Sequence, residues 1–200
     1  MAKKEPNSPG HSPRKVNIRE VRQRFLIVCE GEKTEPNYFN SFRVPKDVID
    51  VKGVGENPSN LVERAIQYNI GEHYDQVWCV FDRDSWPPQD FNNAIQNAKN
   101  QNFNVAYSNE AFELWYVLHF EFLNTGIPRS DYCHKLNKLM GKKYKKNSEQ
   151  IYKELIDKQD IAIKNSKRLL EEYEPRKNPV KDNPSTTVHL LVEELNRFLH

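Results

Sequence analysis

Apolar runs and amphipathic stretches alternate along the first half of the chain. RFLIVC (Arg24–Cys29) and DQVWCVF (Asp75–Phe81) are the continuous apolar segments that a strand buried on both faces requires. DVIDVKGV (Asp47–Val54) is β-branched and strand-like, and FNVAYS (Phe103–Ser108) completes a set of four strands. Between them lie three predicted helices. TEPNYFNSFR (Thr34–Arg43) has Thr34 as its N-cap and Pro36 in the first turn. In NPSNLVERAIQYNIG (Asn57–Gly71), Asn57 caps, Pro58 starts the helix, Leu61, Ala65 and Ile66 form a stripe, and Gly71 follows. PPQDFNNAIQNAKNQN (Pro87–Asn102) is the third. The order βαβαβαβ predicts an α/β fold with a mainly parallel four-stranded sheet flanked by helices.

The second half lacks strands by this reading. AFELWYVLHFEFL, SDYCHKLNKLM, SEQIYKELID, DIAIKNSKRLLEEYE and NPSTTVHLLVEELNRFLH are helical in period or capping. In the last, Val188, Leu191, Val192, Leu195, Phe198 and Leu199 share a stripe, and a Pro-rich connector, Pro175–Pro184, precedes it. No internal repeat is visible. The expected organisation is a disordered basic tail at residues 1–23, an α/β domain at 24–110, and a helical C-terminal region at 111–200 packed on it.

Composition narrows the class. The chain has 200 residues, 37% hydrophobic and 29% charged, a polar but globular balance. No apolar run approaches the ~20 residues of a membrane span, and the start lacks the apolar core of a secretory signal. Cys29, Cys79 and Cys133 are odd in number and lack metal-site spacing; Cys29 and Cys79 sit in apolar runs as small hydrophobes, so a cytoplasmic setting is expected. The net charge of +2 does not announce nucleic acid, but its distribution is uneven. Met1–Arg24 holds seven Lys/Arg and two Glu, and Lys135–Lys146 holds six lysines and no acid. Such blocks suit a phosphate-bearing partner, or are solvated surface.

The chemistry lies where the strands stop. The first apolar run ends in Glu30-Gly31, and the run Val77–Phe81 ends in Asp82-Arg83-Asp84. In an open parallel sheet, functional groups gather at the carboxyl ends of strands. Converging there, Glu30, Asp82 and Asp84 would repel unless a cation sat between them. Mg²⁺ accepts a few hard oxygen ligands and takes phosphate oxygens as others, with Mn²⁺ a possible substitute. Solvated loop acids are the competing account. No Walker-type loop, zinc spacing or Ser-His-Asp pattern is present.

Glu-Gly after one strand with Asp-X-Asp after a later one resembles the TOPRIM fold of topoisomerases, primases and OLD-type nucleases. More closely, LIVCEGEKTEPNYF, VFDRD, SNEAFELWYVLHF and NPSTTVHLLVEEL resemble the signatures of the RloB-like family, also linked to AbiLii: bacterial phage-defence and abortive-infection proteins found near restriction loci. The resemblance runs from Arg24 to His200; Glu110 stands where the family usually has Pro. It implies a Mg²⁺-dependent TOPRIM nuclease with Glu30, Asp82 and Asp84 as metal ligands. Glu113 matches the Glu of the family's Phe-Glu-Leu-Trp motif and would join the catalytic set, its alternative being a surface Glu on an amphipathic helix.

Among the remaining candidates, Lys33 would stabilise phosphate charge or is a solvated loop lysine. Lys142, Lys143, Lys145 and Lys146 are the expected substrate-binding cations. Glu32 and Glu35 are read as helix N-terminal acids favoured by the dipole. Asn183, Pro184, Ser185 and Thr186 are read as helix capping, with phosphate binding at the exposed N–H groups as the alternative. His189 is read as a packed or surface histidine, and Trp115 and Tyr116 as core. The expected activity is an endonuclease, with RNA, tRNA included, favoured over DNA on the strength of related TOPRIM toxins and the scattered basic surface. Two alternatives are a non-catalytic module binding nucleic acid or a partner ATPase, and another phosphoryl-transfer enzyme of nucleotidyl-transferase or primase type.

Overall fold

The computed structural model describes residues 23–45, 47–84 and 86–199; the tail expected at residues 1–23 lies, but for Gln23, outside them. In chain order the elements are β1 (Phe25–Cys29), α1 (Thr34–Phe39), β2 (Ile49–Gly53), α2 (Pro58–Asn69), β3 (Gln76–Asp82), α3 (Pro88–Asn100), β4 (Asn104–Asn109), α4 (Glu113–Leu118), α5 (Arg129–Met140), α6 (Ile151–Leu155), α7 (Gln159–Glu171), β5 (Ser185–Thr186) and α8 (Val188–Asn196). The sheet order is β2-β1-β3-β4-β5. The first four strands are parallel, and β5 joins antiparallel with Ser108 opposite Thr186 and Asn109 opposite Ser185.

All five side chains of β1 are buried, because the sheet is covered on both faces. Phe25, Ile27 and Cys29 enter one core with Trp78 and Val80, while Leu26 and Val28 enter the other with Val77, Cys79 and Phe81. Leu61, Val62 and Ala65 of α2, with Phe91, Ala94 and Ala98 of α3, cover the second face. The first face is covered by Tyr38 and Phe39 of α1 together with the C-terminal helices, through Leu114, Trp115, Leu155, Leu169, Leu191 and Leu195. The helical half thus shares one core with the sheet. Trp115 and Tyr116 are buried in it, and Cys29 and Cys79 are buried free thiols whose pKa burial pushes up. Among the described residues, no helix is long and apolar enough to cross a membrane.

Three local expectations fail for identifiable reasons. Ser185 and Thr186 do not open the helix but add a fifth strand, while Thr186 Oγ1 still accepts from Val188 N, the first residue of α8, at 3.3 Å. Their hydroxyl protons go elsewhere: Thr186 Oγ1 donates to Tyr107 O at 2.9 Å and Ser185 Oγ to Asp182 O at 2.6 Å. Thr187, at the N-cap of α8, instead turns its Oγ1 to accept from Tyr107 N at 2.9 Å. Thr34 is the first residue of α1 and not its cap; its hydroxyl donates to Asn147 Oδ1 at 2.6 Å. The helix expected over Ala111–Leu123 is cut to α4, because Phe120 N turns back to Val117 O at 2.9 Å and the turn tightens. Asn57, by contrast, caps α2 as its sequence suggests, accepting from Asn60 N at 2.9 Å.

Candidate functional site

Parallel pairing of β1 with β3 sets Cys29 beside Val80, so Glu30 follows beside Phe81 and Asp82 lies one residue further, at the end of β3. Glu30 N donates to Val80 O at 2.8 Å, carrying the pairing one residue past β1. The Glu30 carboxylate then closes over the end of β3, accepting from Asp82 N at 2.9 Å and from Trp86 Nε1 at 2.7 Å. Asp82 Oδ2 accepts from Phe112 N at 3.1 Å, which ties it to the segment after β4. Five carboxylates, Glu30, Glu35, Glu56, Asp82 and Glu113, line a cleft of about 240 Å³ together with two bases, Arg129 and Lys146; Glu56 is paired with Arg64 at 2.9 Å.

Burial makes this charge costly. Glu35, Asp82 and Glu113 expose only 5%, 4% and 4% of their surface. Burial raises the Glu30 pKa although Trp86 and the Asp82 backbone hold its ionised form. Asp82 is pushed well above the usual carboxylate range by burial, then by the charges of Glu35 and Glu30. Glu35 is raised to about 7, by burial first and by Glu113 and Glu30 after it. Like charges out of water favour proton uptake or a counter-cation.

Glu35 does lie in the first turn of α1, as its position suggests, but it is buried there. Its Oε2 is buried without a hydrogen-bond partner. Room for it comes from Gly31, where an added Cβ would fall 2.1 Å from that oxygen. The glycine of the Glu-Gly pair thus admits a second carboxylate beneath the first. Glu32 is exposed, two residues before α1 begins.

The other expected site residues divide. Glu113 is buried in the cleft wall, not exposed on a helix face; its Oε1 lies 3.4 Å from Tyr144 Oη and 3.9 Å from Lys146 Nζ. Asp84 is adjacent to the cleft but not among its lining; Arg129 Nη1 lies 2.5 Å from its Oδ2. Its backbone, at φ +36°, is held by a bond from its N–H to Glu110 O at 3.2 Å. Lys33 is exposed and does not line the cleft. Of the lysine block only Lys146 does. Lys142 pairs with Glu154 at 2.8 Å, and Lys142, Lys143 and Lys145 line a separate hollow of about 310 Å³. Asn147, bonded by Thr34 and by Asn37 Nδ2 at 2.9 Å, pins the block's end against α1. His189 is buried, and burial lowers its pKa to about 4.

Arg129 and Trp86 enter the site without having been singled out in the sequence. Trp86 lies two residues past the Asp-X-Asp. Arg129 follows Pro128 at a helix start, where the dipole disfavours a cation, and that mismatch is the signal it offers.

The donor chemistry suits Mg²⁺: hard oxygens, more acid than base, and one unpartnered Oε2. In this arrangement, however, no group of three or more His, Cys, Asp or Glu among the described residues is gathered so as to hold a metal ion. Glu30 and Asp82 are engaged with N–H groups and Asp84 with Arg129.

A family model described as RloB-like protein matches residues 25–195. No curated protein and no solved structure matches the chain.

Proposed function

The chain belongs to the RloB-like family, and on that premise we propose that its acidic cleft is the catalytic centre of a Mg²⁺-dependent TOPRIM-type endonuclease. The substrate is nucleic acid, RNA and tRNA before DNA, and the setting is cytoplasmic phage defence or abortive infection, with a partner ATPase where one is encoded nearby. The observation that carries the reading is the convergence of Glu30, Glu35, Asp82 and Glu113 on one cleft with two bases in its wall.

Glu30, Asp82, Glu35 and Glu113 would hold the ion, with Asp84 joining when it leaves Arg129. A bound Mg²⁺ supplies charge neutralisation at a phosphodiester and Lewis-acid activation of water. The chain's own groups do the rest. Lys146 and Arg129 are placed to meet phosphate oxygens at the cleft. Glu35, raised to about 7 in the ion-free cleft, would give up its proton at Oε2 as the ion binds. Lys142, Lys143 and Lys145 extend the positive surface beside Lys146 for the rest of the strand.

The test is incubation of the protein with total RNA and with plasmid DNA, in Mg²⁺, Mn²⁺ and EDTA, beside Glu30→Gln. Cleavage is expected with the divalent ions alone and is lost in Glu30→Gln. Equal cleavage in EDTA, or an intact Glu30→Gln, sinks the reading. The Arg129 ion pairs with Asp84 and Asp82 favour one alternative, a binding module whose acids are structural. Such a module would keep its function in Asp82→Asn.

A further inference from the structure

Arg129 stands where its own helix does not favour it. It is the first residue of α5, a 12-residue helix, and the partial positive charge of a helix N-terminus repels a guanidinium. Nothing on α5 compensates within reach of its Nη atoms; the compensation comes from other elements. Nη1 lies 2.5 Å from Asp84 Oδ2 and Nη2 lies 3.9 Å from Asp82 Oδ2. Nη1 makes no well-directed hydrogen bond, so the attraction is largely Coulombic. The backbone N–H of Arg129 donates to Glu110 Oε2 at 3.0 Å, which fixes the base of the side chain. About 37% of the side chain is exposed.

The guanidinium thus occupies the place between Asp82 and Asp84 that a bound cation would take. Both acids of the Asp-X-Asp are directed to one cation, and the cation is the protein's own. This accounts for two facts together: Asp84 is missing from the cleft lining, and no three carboxylates are gathered for a metal ion among the described residues.

We propose that Arg129 is the resident counter-cation of this cleft, and that a divalent ion binds by displacing its guanidinium from Asp84 and Asp82. The inference rests on the proposed metal-dependent reading of the same cleft. Ion entry and arginine release are then one equilibrium, so the apparent ion affinity is lowered by the fraction of molecules in which Arg129 holds the acids. A released guanidinium, anchored by its backbone at the cleft edge, faces the position of a substrate phosphate, where a planar two-pronged donor is well suited.

Mn²⁺ binding to the full chain without nucleic acid, read from the electron paramagnetic resonance of the free ion, tests this apart from any activity. Arg129→Gln should bind Mn²⁺ at least tenfold more tightly than the wild type. Arg129→Lys, a shorter point charge, should fall between them, and Arg129→Gln combined with Asp84→Asn should lose the gain. Equal or weaker binding by Arg129→Gln overturns the proposal while leaving the metal-dependent reading intact. Absence of Mn²⁺ binding in every form overturns both. Should Arg129→Gln fail to fold, Arg129→Lys carries the test: it must bind more tightly than the wild type, and equal or weaker binding overturns the proposal.

Discussion

The sheet has two ends, and both carry acids beside a hollow. At the amino end, between the starts of β3 and β4 and helices α7 and α8, a hollow of about 870 Å³ is lined by Asp160, Glu193 and Glu194. At the carboxyl end the acidic cleft measures about 240 Å³. By size the amino end is the better site; by chemistry it is quiet. Glu193 pairs with Lys167 at 2.5 Å, Glu194 pairs with Arg197 at 2.8 Å, and Asp160 is exposed. At the carboxyl end five carboxylates face two bases, three of the acids are buried below 6% exposure, and one oxygen has no partner at all.

The difference lies in desolvation, not in the count of acids. Paired surface acids contribute within about 1 kcal/mol and are screened by salt. Buried carboxylates without enough counter-charge destabilise the fold, and they persist where a ligand offsets the cost. Position on the sheet decides which acids fall in which class, since only the carboxyl ends of parallel strands deliver two chain segments to one point.

The sharpest contrast is in activity. Asp82→Asn should lower Mg²⁺-dependent cleavage by about three orders of magnitude, and adding Glu30→Gln should cost little more, because groups acting as a unit give non-additive losses. Glu193→Gln and Glu194→Gln should leave initial rates within about twofold, as surface changes do. Similar losses at both ends would erase the distinction.

A smaller effect is expected in the pH dependence of metal-free stability. Glu35 has a raised pKa of about 7, so its contribution is complete below the ordinary carboxylate range and is lost as pH rises through about 7. His119 and His189, lowered to about 4 by burial, act oppositely: their contribution is complete above about 6.5 and is lost as pH falls toward 4. The difference between wild type and Glu35→Gln isolates the first. Between pH 5 and 8 in EDTA, the wild-type Tm should fall relative to Glu35→Gln by several degrees. Parallel curves would mean that Glu35 is solvated.

The smallest effect belongs to the lysines. Replacing Lys143, Lys145 and Lys146 with Gln should flatten the salt dependence of nucleic-acid binding by about one per lost phosphate contact, without abolishing cleavage. An unchanged slope would make Lys143, Lys145 and Lys146 mere solvated surface.

Much of this was legible in the residues. The continuous apolar runs Phe25–Cys29 and Val77–Phe81 mark doubly covered strands, and the acids just past them, Glu30 and Asp82, mark the acidic cleft, since both depend on local pattern. What depends on distant partners was not legible. Ser185 and Thr186 carry the chemistry of a cap, and only their antiparallel pairing with Asn109 and Ser108 of β4 makes them a strand. Glu35 obeys a local rule for helix starts, but the missing Cβ of Gly31 lets it fold under the strand end. Arg129 meets acids more than forty residues away in sequence, and no spacing announces that.

The central claim is that the cleft's carboxylates form one cation site, and thermal unfolding of Asp82→Asn with and without Mg²⁺ tests it most directly. Asn keeps an oxygen to accept from Phe112 N while removing the charge. Mg²⁺ at ten to a hundred times its Kd should add roughly 1.4–2.7 kcal/mol to the wild type, a Tm rise of about 3–10 °C for a chain of this size. Asp82→Asn should melt higher than the wild type in EDTA, because repulsion is relieved, and should show a much reduced Mg²⁺ shift. An Asp82→Asn protein that melts lower in EDTA and gains from Mg²⁺ as the wild type does would contradict the account.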